Sequence, residues 1–223
     1  FQPMLDFALF KIKTFTYGNL LALAVYTTQT SVFFLLPFYM EIILKFSPDY
    51  SGLLMTITPV TMALTAPLAG SFSDKVGSRK ILALSLFTLT FAYIIFSSLD
   101  ARLNLFKLCS GLILLGLGMG MFGSPNNSSI LGSIPREKAG YGGGFISTIR
   151  NLSFAVGIAG SVSIFSLILS NGQKSMPYVQ AYIHAGNTVY YIAAGITMIA
   201  FIFALFNNLH KTKEKSELKL NGQ

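Results

Sequence analysis

The stretch Gly70-Ser71-Phe72-Ser73-Asp74-Lys75-Val76-Gly77-Ser78-Arg79-Lys80 is a short polar loop between two long apolar segments, Ser51 to Phe72 and Ile81 to Leu99. Each segment is close to the roughly 20 residues of helix that a hydrocarbon core requires. The loop therefore joins two membrane spans on one side of a bilayer. Four more segments of the same kind, Tyr17 to Tyr39, Leu105 to Ile134, Gly143 to Leu169 and Ala185 to Phe206, bring the expected spans to six.

Composition leads to the same place. The 223 residues are 52% hydrophobic and only 11% charged, with a mean hydropathy of +0.62, too apolar for a soluble domain. Long unbroken apolar runs, in place of short alternating ones, exclude a membrane barrel. The expected fold is an all-α membrane protein, a six-helix bundle over residues 17–208. An amphipathic lead-in (1–16) precedes it and a basic tail (209–223) follows it.

The net charge of +8 could point to nucleic acid, but its distribution does not. With six spans, the N-terminus, the second and fourth loops and the C-terminus share one side. That side holds Lys11, Lys13, Lys75, Arg79, Lys80, Arg136, Lys138, Lys211, Lys213, Lys215 and Lys219, eleven of the sixteen basic residues. The other side holds Lys45, Arg102, Lys107 and Lys174, and Arg150 lies inside a span. Positive residues concentrate on the cytoplasmic side of spans, so both chain ends and the opening loop are expected in the cytoplasm of a multi-pass cell-membrane protein. The tail reads as a solvated inside-positive segment with no nucleic-acid partner. The chain starts at Phe1 without the order of a signal peptide, which suggests protein sequence upstream. Cys109, alone, is a small packing residue.

The order Gly70, three residues, Asp74, a basic residue, Gly77, then Arg79 and Lys80 resembles the signature loop of the major facilitator superfamily. That family places it between the second and third helices of each six-helix half, as here. The lead-in Pro3 to Phe15 and the run Gly116-Leu117-Gly118-Met119-Gly120-Met121-Phe122-Gly123-Ser124-Pro125-Asn126-Asn127-Ser128, followed by Pro135, Gly140, Gly143 and Arg150, are similar to the fourteen-helix drug:proton antiporters. Span five has Gly157 and Gly160 but lacks the proline of the first half's fifth helix, which marks this chain as a C-terminal half. The resemblance implies alternating access between this half and an N-terminal one of six to eight helices. It also implies small-molecule substrates, proton coupling and no cofactor, with Gly70, Asp74, Gly77, Arg79 and Lys80 acting as a gating latch.

The residues carry expectations of their own. Gly70 permits close helix approach, Gly77 suits a positive φ in a tight reversal, and Asp74 is expected near the positive end of the following helix. A polar group inside a membrane needs a partner. Arg150, about 15 Å deep, and Asn126 and Asn127, about 10 Å deep at 1.5 Å per residue, are expected to pair as buried polar groups, with Pro125 freeing backbone carbonyls. In span one, Tyr26, Gln29, Thr30, Phe33 and Phe34 lie at helical spacings near the middle. An amide, a hydroxyl and aromatic rings there would suit lipophilic or cationic solutes in the cavity that the family's first helices line. Thr56, Thr58, Pro59, Thr61, Thr65 and Pro67 in span two, like the glycines of span five, are read as bending and packing residues.

Other classes fit poorly. An intramembrane protease needs a serine and a histidine at matched depth; Ser110 and His184, both near outer span ends, are a weak pair. No metal-ligand cluster, phosphate loop or dinucleotide fingerprint is present. None of the eight acids, Asp6, Glu41, Asp49, Asp74, Asp100, Glu137, Glu214 and Glu217, lies in the middle of a span. A proton-coupling carboxylate is therefore expected outside this chain. A carrier of sugars, peptides or organic acids, and a transport-dead remnant, remain alternatives to drug efflux at this point.

Overall fold

The computed structural model describes the backbone of residues 7–220 and the side chains of residues 8–206. A 3-10 turn (Phe7–Lys11) leads into α1 (Lys13–Phe38), which a π-helical turn (Tyr39–Ile43) extends. Then come α2 (Pro48–Met55), α3 (Ile57–Val76), α4 (Ser78–Phe96), α5 (Leu105–Leu131), α6 (Ala139–Gly172) and α7 (Tyr178–Leu220). Among the described residues there is no strand, and six helical runs are long and apolar enough to cross a membrane: α1 with its π turn, α2 with α3, and α4 to α7 singly.

Local chemistry sets the breaks. Ser47 caps α2, its Oγ accepting from the Tyr50 N–H at 3.4 Å, and Pro48 takes the first helical position, where a missing N–H costs nothing. Pro59 cannot donate to the Met55 carbonyl, and span two is interrupted at Thr56, between α2 and α3. There the Thr56 N–H is shared between the Gly52 and Leu53 carbonyls, and its hydroxyl donates to Leu53 O at 2.6 Å. Asn104 caps α5 through the Lys107 N–H at 2.9 Å.

Span limits differ from expectation mostly outward. Span five runs from Ala139, so the glycine run Gly140 to Gly144 is already helical. The backbone of α7 stays helical to Leu220, through most of the expected tail, and α1 starts inside the expected lead-in. Residues 1–6 and 221–223 of those segments lie outside the described residues.

Helix α5 is the hub, and its glycines show why. Lipid is as apolar as leucine, so helices associate through close packing and hydrogen bonds. A Cβ on Gly116 would lie 2.6 Å from the Thr58 carbonyl, and one on Gly120 would lie 2.8 Å from Thr65 Cβ, so α3 is seated directly on this face. On the opposite face a Cβ on Gly118 would lie 2.6 Å from Leu89 Cγ of α4. Polar seams join the rest. Thr58 Oγ1 donates to Leu112 O (3.2 Å), Tyr93 Oη to Thr28 Oγ1 (3.2 Å) and Thr90 Oγ1 to Thr197 Oγ1 (3.0 Å), linking α3 to α5, α4 to α1 and α4 to α7.

A second, smaller core sits at the end carrying the chain's start and the Gly70–Lys80 loop. Leu9, Phe15, Ile130, Ile134, Phe145 and Ile146 are buried together. The rings of Phe10, Phe15 and Phe145 meet edge to face with centroids 5.2–5.7 Å apart, a favoured aromatic geometry. The lead-in thus packs on α5 and α6 instead of resting on the bilayer surface alone, because its Leu9 and Phe10 find an apolar socket in the protein. Helices α3 and α6 remain the least covered, with Val60, Leu64, Leu68 and Phe72 on one and Leu152, Val156 and Leu167 on the other exposed.

Candidate functional site

At the signature loop, α3 ends at Val76 and Gly77 reverses the chain with φ 91° and ψ 136°, the region that favours glycine. The Gly77 N–H donates to Ser73 O at 2.9 Å, and the Ser73 and Ser78 hydroxyls meet at 3.0 Å across the turn. That serine clasp was not anticipated, although two small hydroxyl residues flanking the turn were there to be read. Half-buried Arg79 and exposed Lys80 stand in the first turn of α4. Two expectations are corrected. Asp74 lies in the last turn of α3, exposed, and α4 starts with no side-chain cap, so Asp74 does not hold the start of α4. Gly70 is not a close-approach glycine, since a Cβ there would meet only Ser124 Oγ at an ordinary 3.4 Å.

The buried polar group also differs from the reading. Asn126 is 1% exposed and donates from Nδ2 to the Gly18 carbonyl at 3.2 Å, tying α5 to α1. Its Oδ1 is enclosed without a hydrogen-bond partner. Gly18 is what admits it, because a Cβ there would collide with Ile130 Cγ1 at 2.5 Å and approach Asn126 Oδ1 at 3.3 Å. Helix α5 continues through buried Pro125, and Asn127 is half-buried. Arg150 is neither buried nor bonded to Asn126 or Asn127. It is exposed on α6, because α6 turns only its Gly142, Phe145, Ile146, Ser153, Gly157 and Ser161 side inward.

What surrounds Arg150 is a face shared by α1 and α6. Phe154, one turn further along the same side of α6, sets its ring edge-on to Tyr26 of α1 (centroids 5.9 Å, 86°). Phe122 of α5 also meets the Tyr26 ring edge to face (6.0 Å, 87°). Tyr26 is 8% exposed. Gln29, one turn on, is half-buried with Oε1 enclosed and unpartnered, and Phe33 opens outward at 41% exposure.

Two members of the expected cavity set belong elsewhere. Thr30 is used in packing: its hydroxyl donates to Thr27 O at 2.8 Å and it lies against Gly157 where α1 crosses α6. Phe34 packs on the main core beside Phe38 at 5.4 Å. In their place the structure supplies Phe122, Phe154 and a polar arc on α6. Ser147, Thr148, Arg150 and Asn151 are all exposed there. Helical spacing puts Arg150, Phe154, Ser147, Asn151 and Thr148 on one contiguous side. The face offers aromatic edges, an amide, hydroxyls and one cation, a set that binds a flat, hydrogen-bonding solute better than a metal. Among the described residues no group of His, Cys, Asp and Glu could hold a metal ion.

Comparison with known proteins follows the architecture. The chain is 45% identical over 205 residues to the riboflavin transporter RibZ of Clostridioides difficile (strain 630), covering 92% of this chain and 45% of that protein. The transporter YebQ of Escherichia coli (strain K12), described as uncharacterized, is 32% identical over 160 residues, 70% of this chain and 34% of its own length. The lincomycin resistance protein LmrB of Listeria monocytogenes is 24% identical over 204 residues, 92% of this chain and 42% of that protein. The chain spans less than half the length of these relatives. Residues 18–222 match the model of the Major Facilitator Superfamily, and six apolar helices, the Gly77 reversal and these relatives agree with it: the chain belongs to that superfamily.

Proposed function

We propose that this chain is one half of an alternating-access carrier for a planar aromatic solute of the riboflavin kind. Its family consists of transporters, not enzymes. The observation that carries the solute class is the 45% identity to a riboflavin transporter across 92% of the chain. The α1–α6 face agrees with it chemically: Phe33 and Phe154 can lie against a flat ring system, while Gln29, Asn151 and the α6 hydroxyls can meet its carbonyl and N–H groups.

A substrate site of this fold lies between two six-helix units, so transport needs a second unit. Its seat is the uncovered surface of α3 and α6, where Leu64, Leu68, Leu152 and Val156 stand open. The basic end is placed in the cytoplasm of a cell-membrane protein on the positive-inside argument. There the Gly70–Lys80 loop serves as a latch between α3 and α4 that the working cycle opens and closes.

A second reading is proton-coupled efflux of drugs or other lipophilic and cationic compounds, favoured by the likeness to LmrB over 92% of the chain. With no acid in the middle of any span, the coupling carboxylate in that case belongs to the second unit. One experiment separates the two. The complete transporter is expressed in a riboflavin auxotroph, and uptake of labelled riboflavin is measured beside efflux of a fluorescent lipophilic cation, with and without a proton uncoupler. Uptake that rescues growth at low riboflavin supports the first reading. Uncoupler-sensitive cation efflux without such rescue moves the assignment to the second.

A further inference from the structure

Arg150 lies about 16 Å along α6 from Ala139, at ~1.5 Å per residue, well inside a run that is otherwise apolar enough to span a membrane. A cation at such a depth is costly unless it meets water or an opposite charge. Arg150 forms no hydrogen bond or ion pair among the described residues. Among the described acids none is recorded against it: Asp74 and Glu137 stand at the loop end, and Glu41, Asp49 and Asp100 at the far end. Glu137 precedes Ala139, the start of α6, and so lies at least about 16 Å along the helix from Arg150, further than an arginine side chain extends.

Arg150 is exposed, outside the side of α6 that is buried against the bundle. Phe154, one turn along the same side of α6, packs edge-on against Tyr26 of α1. Ser147, Thr148 and Asn151 lie exposed beside Arg150. The charge, and more mildly the Asn151 amide, is ill placed against lipid, so this arc faces protein or water. An uncharged solute such as riboflavin offers no counter-charge. A charged solute would offer one only while bound, whereas the empty carrier must also cross its cycle with Arg150 in the membrane.

We propose that Arg150 pairs with an acidic side chain carried by a membrane span of the second six-helix unit, the two charges meeting where that unit closes on α6. The pair fixes the register of the two units at the level of the candidate site. The inference rests on the reading that this chain works with a second unit.

The test uses the complete transporter with Arg150→Lys, Arg150→Gln and Arg150→Glu, scored by riboflavin uptake per folded molecule and by melting temperature in detergent. Lysine is expected to keep uptake within about threefold, while glutamine and glutamate lower it by about tenfold or more. Losing one partner of a buried pair should also lower the melting temperature by about 5 °C or more, a readout that needs no substrate. Selection for growth on low riboflavin from the Arg150→Glu strain should return replacements of one Asp or Glu, within a span of the second unit, by a neutral or basic residue. The proposal is overturned if glutamine matches the parent in both uptake and melting, which would mean the guanidinium reaches solvent unaided. It is also overturned if revertants arise only within residues 1–223, or if glutamine impairs an anionic flavin, riboflavin 5′-phosphate, while sparing riboflavin, which would make the solute the counter-ion. A parent transporter that moves no riboflavin overturns the solute assignment alone, and the melting series then still decides the pair.

Discussion

Where α6 crosses α1, Gly157 allows the two backbones to touch, and Gly157→Ala tests that contact directly. An alanine Cβ at this position would fall against the Thr27 carbonyl and Thr30 Oγ1, and 3.0 Å from Thr27 Cα. Two of those three atoms are helix backbone and cannot rotate away. The third is a hydroxyl already committed to Thr27 O at 2.8 Å. Ordinary carbon contacts need about 3.5–4.0 Å, so the helices must part by about an ångström or the backbone must bend. Overpacking of this kind costs about 1–3 kcal/mol. At about 2–4 °C per kcal/mol for a chain of this size, the melting temperature should fall by about 2–12 °C. Gly160→Ala is the matched control, less than one turn away on the same helix, where a Cβ would meet nothing within 4 Å. It should leave melting unchanged or slightly higher, since alanine is the better helix former. The assay is fluorescence-detected size exclusion after heating, at one fixed scan rate because unfolding of such proteins is seldom reversible. If Gly157→Ala melts at or above the parent while Gly160→Ala falls, the crossing is not where the structure puts it.

Three other outcomes can be checked on the same material. Asn126→Ala removes the α5–α1 hydrogen bond to Gly18 O but also an enclosed oxygen with no partner; the two effects offset, and the net loss should stay below about 1 kcal/mol in thermal melting. Phe145→Ala takes one ring from the lead-in socket, at about 3 kcal/mol if the site collapses poorly. It should therefore speed tryptic cleavage at Lys11 while cleavage in the α6–α7 turn at Lys174 keeps its rate. Gly77→Ala forces a side chain into a positive-φ reversal whose ψ of 136° lies outside the left-handed helical well; about 1–3 kcal/mol of strain should lower melting.

Long, strongly apolar segments made the six spans legible before any coordinates, because a membrane span is specified by length and apolarity alone. The reversal at Gly77 was legible for a similar reason, as positive φ narrows the choice of residue. The seats of individual side chains were not. Thr30 and Gln29 are neighbours of comparable polarity, yet one is used against Gly157 and the other is left with an unpartnered oxygen. What separates them is the rotation of α1 against α6, which Gly157 sets from more than a hundred residues away. Arg150 was misplaced for the same reason. Depth could be counted along the sequence, but the side of α6 that faces the bundle depends on which of its glycines and serines meet a partner. Phe122 and Phe154 were missed because a phenylalanine in an apolar span carries no mark of the tyrosine it encloses.

Two sets among the bundle's polar groups stand apart, and the contrast between them locates function better than either set alone. In the first, each hydroxyl or amide has its hydrogen bond inside the chain. Thr58 reaches Leu112 O, Tyr93 reaches Thr28, Thr90 reaches Thr197 and Asn126 reaches Gly18 O, and every one sits in a seam between helices. Packing accounts for them, since interhelical hydrogen bonds strengthen membrane helix contacts. The second set, Ser147, Thr148, Arg150 and Asn151, lies exposed on a single side of α6, next to the Tyr26–Phe154 contact. Among the described residues none of the four is bonded to another helix. If α6 faced lipid there, four neighbouring polar residues would all act against the fold, and a bundle so economical with polarity elsewhere gives no reason for that. The arc is thus the surface on which solute and second unit must be sought, and replacing Ser147, Thr148 and Asn151 together by alanine should spare the melting temperature of this six-helix unit while abolishing transport.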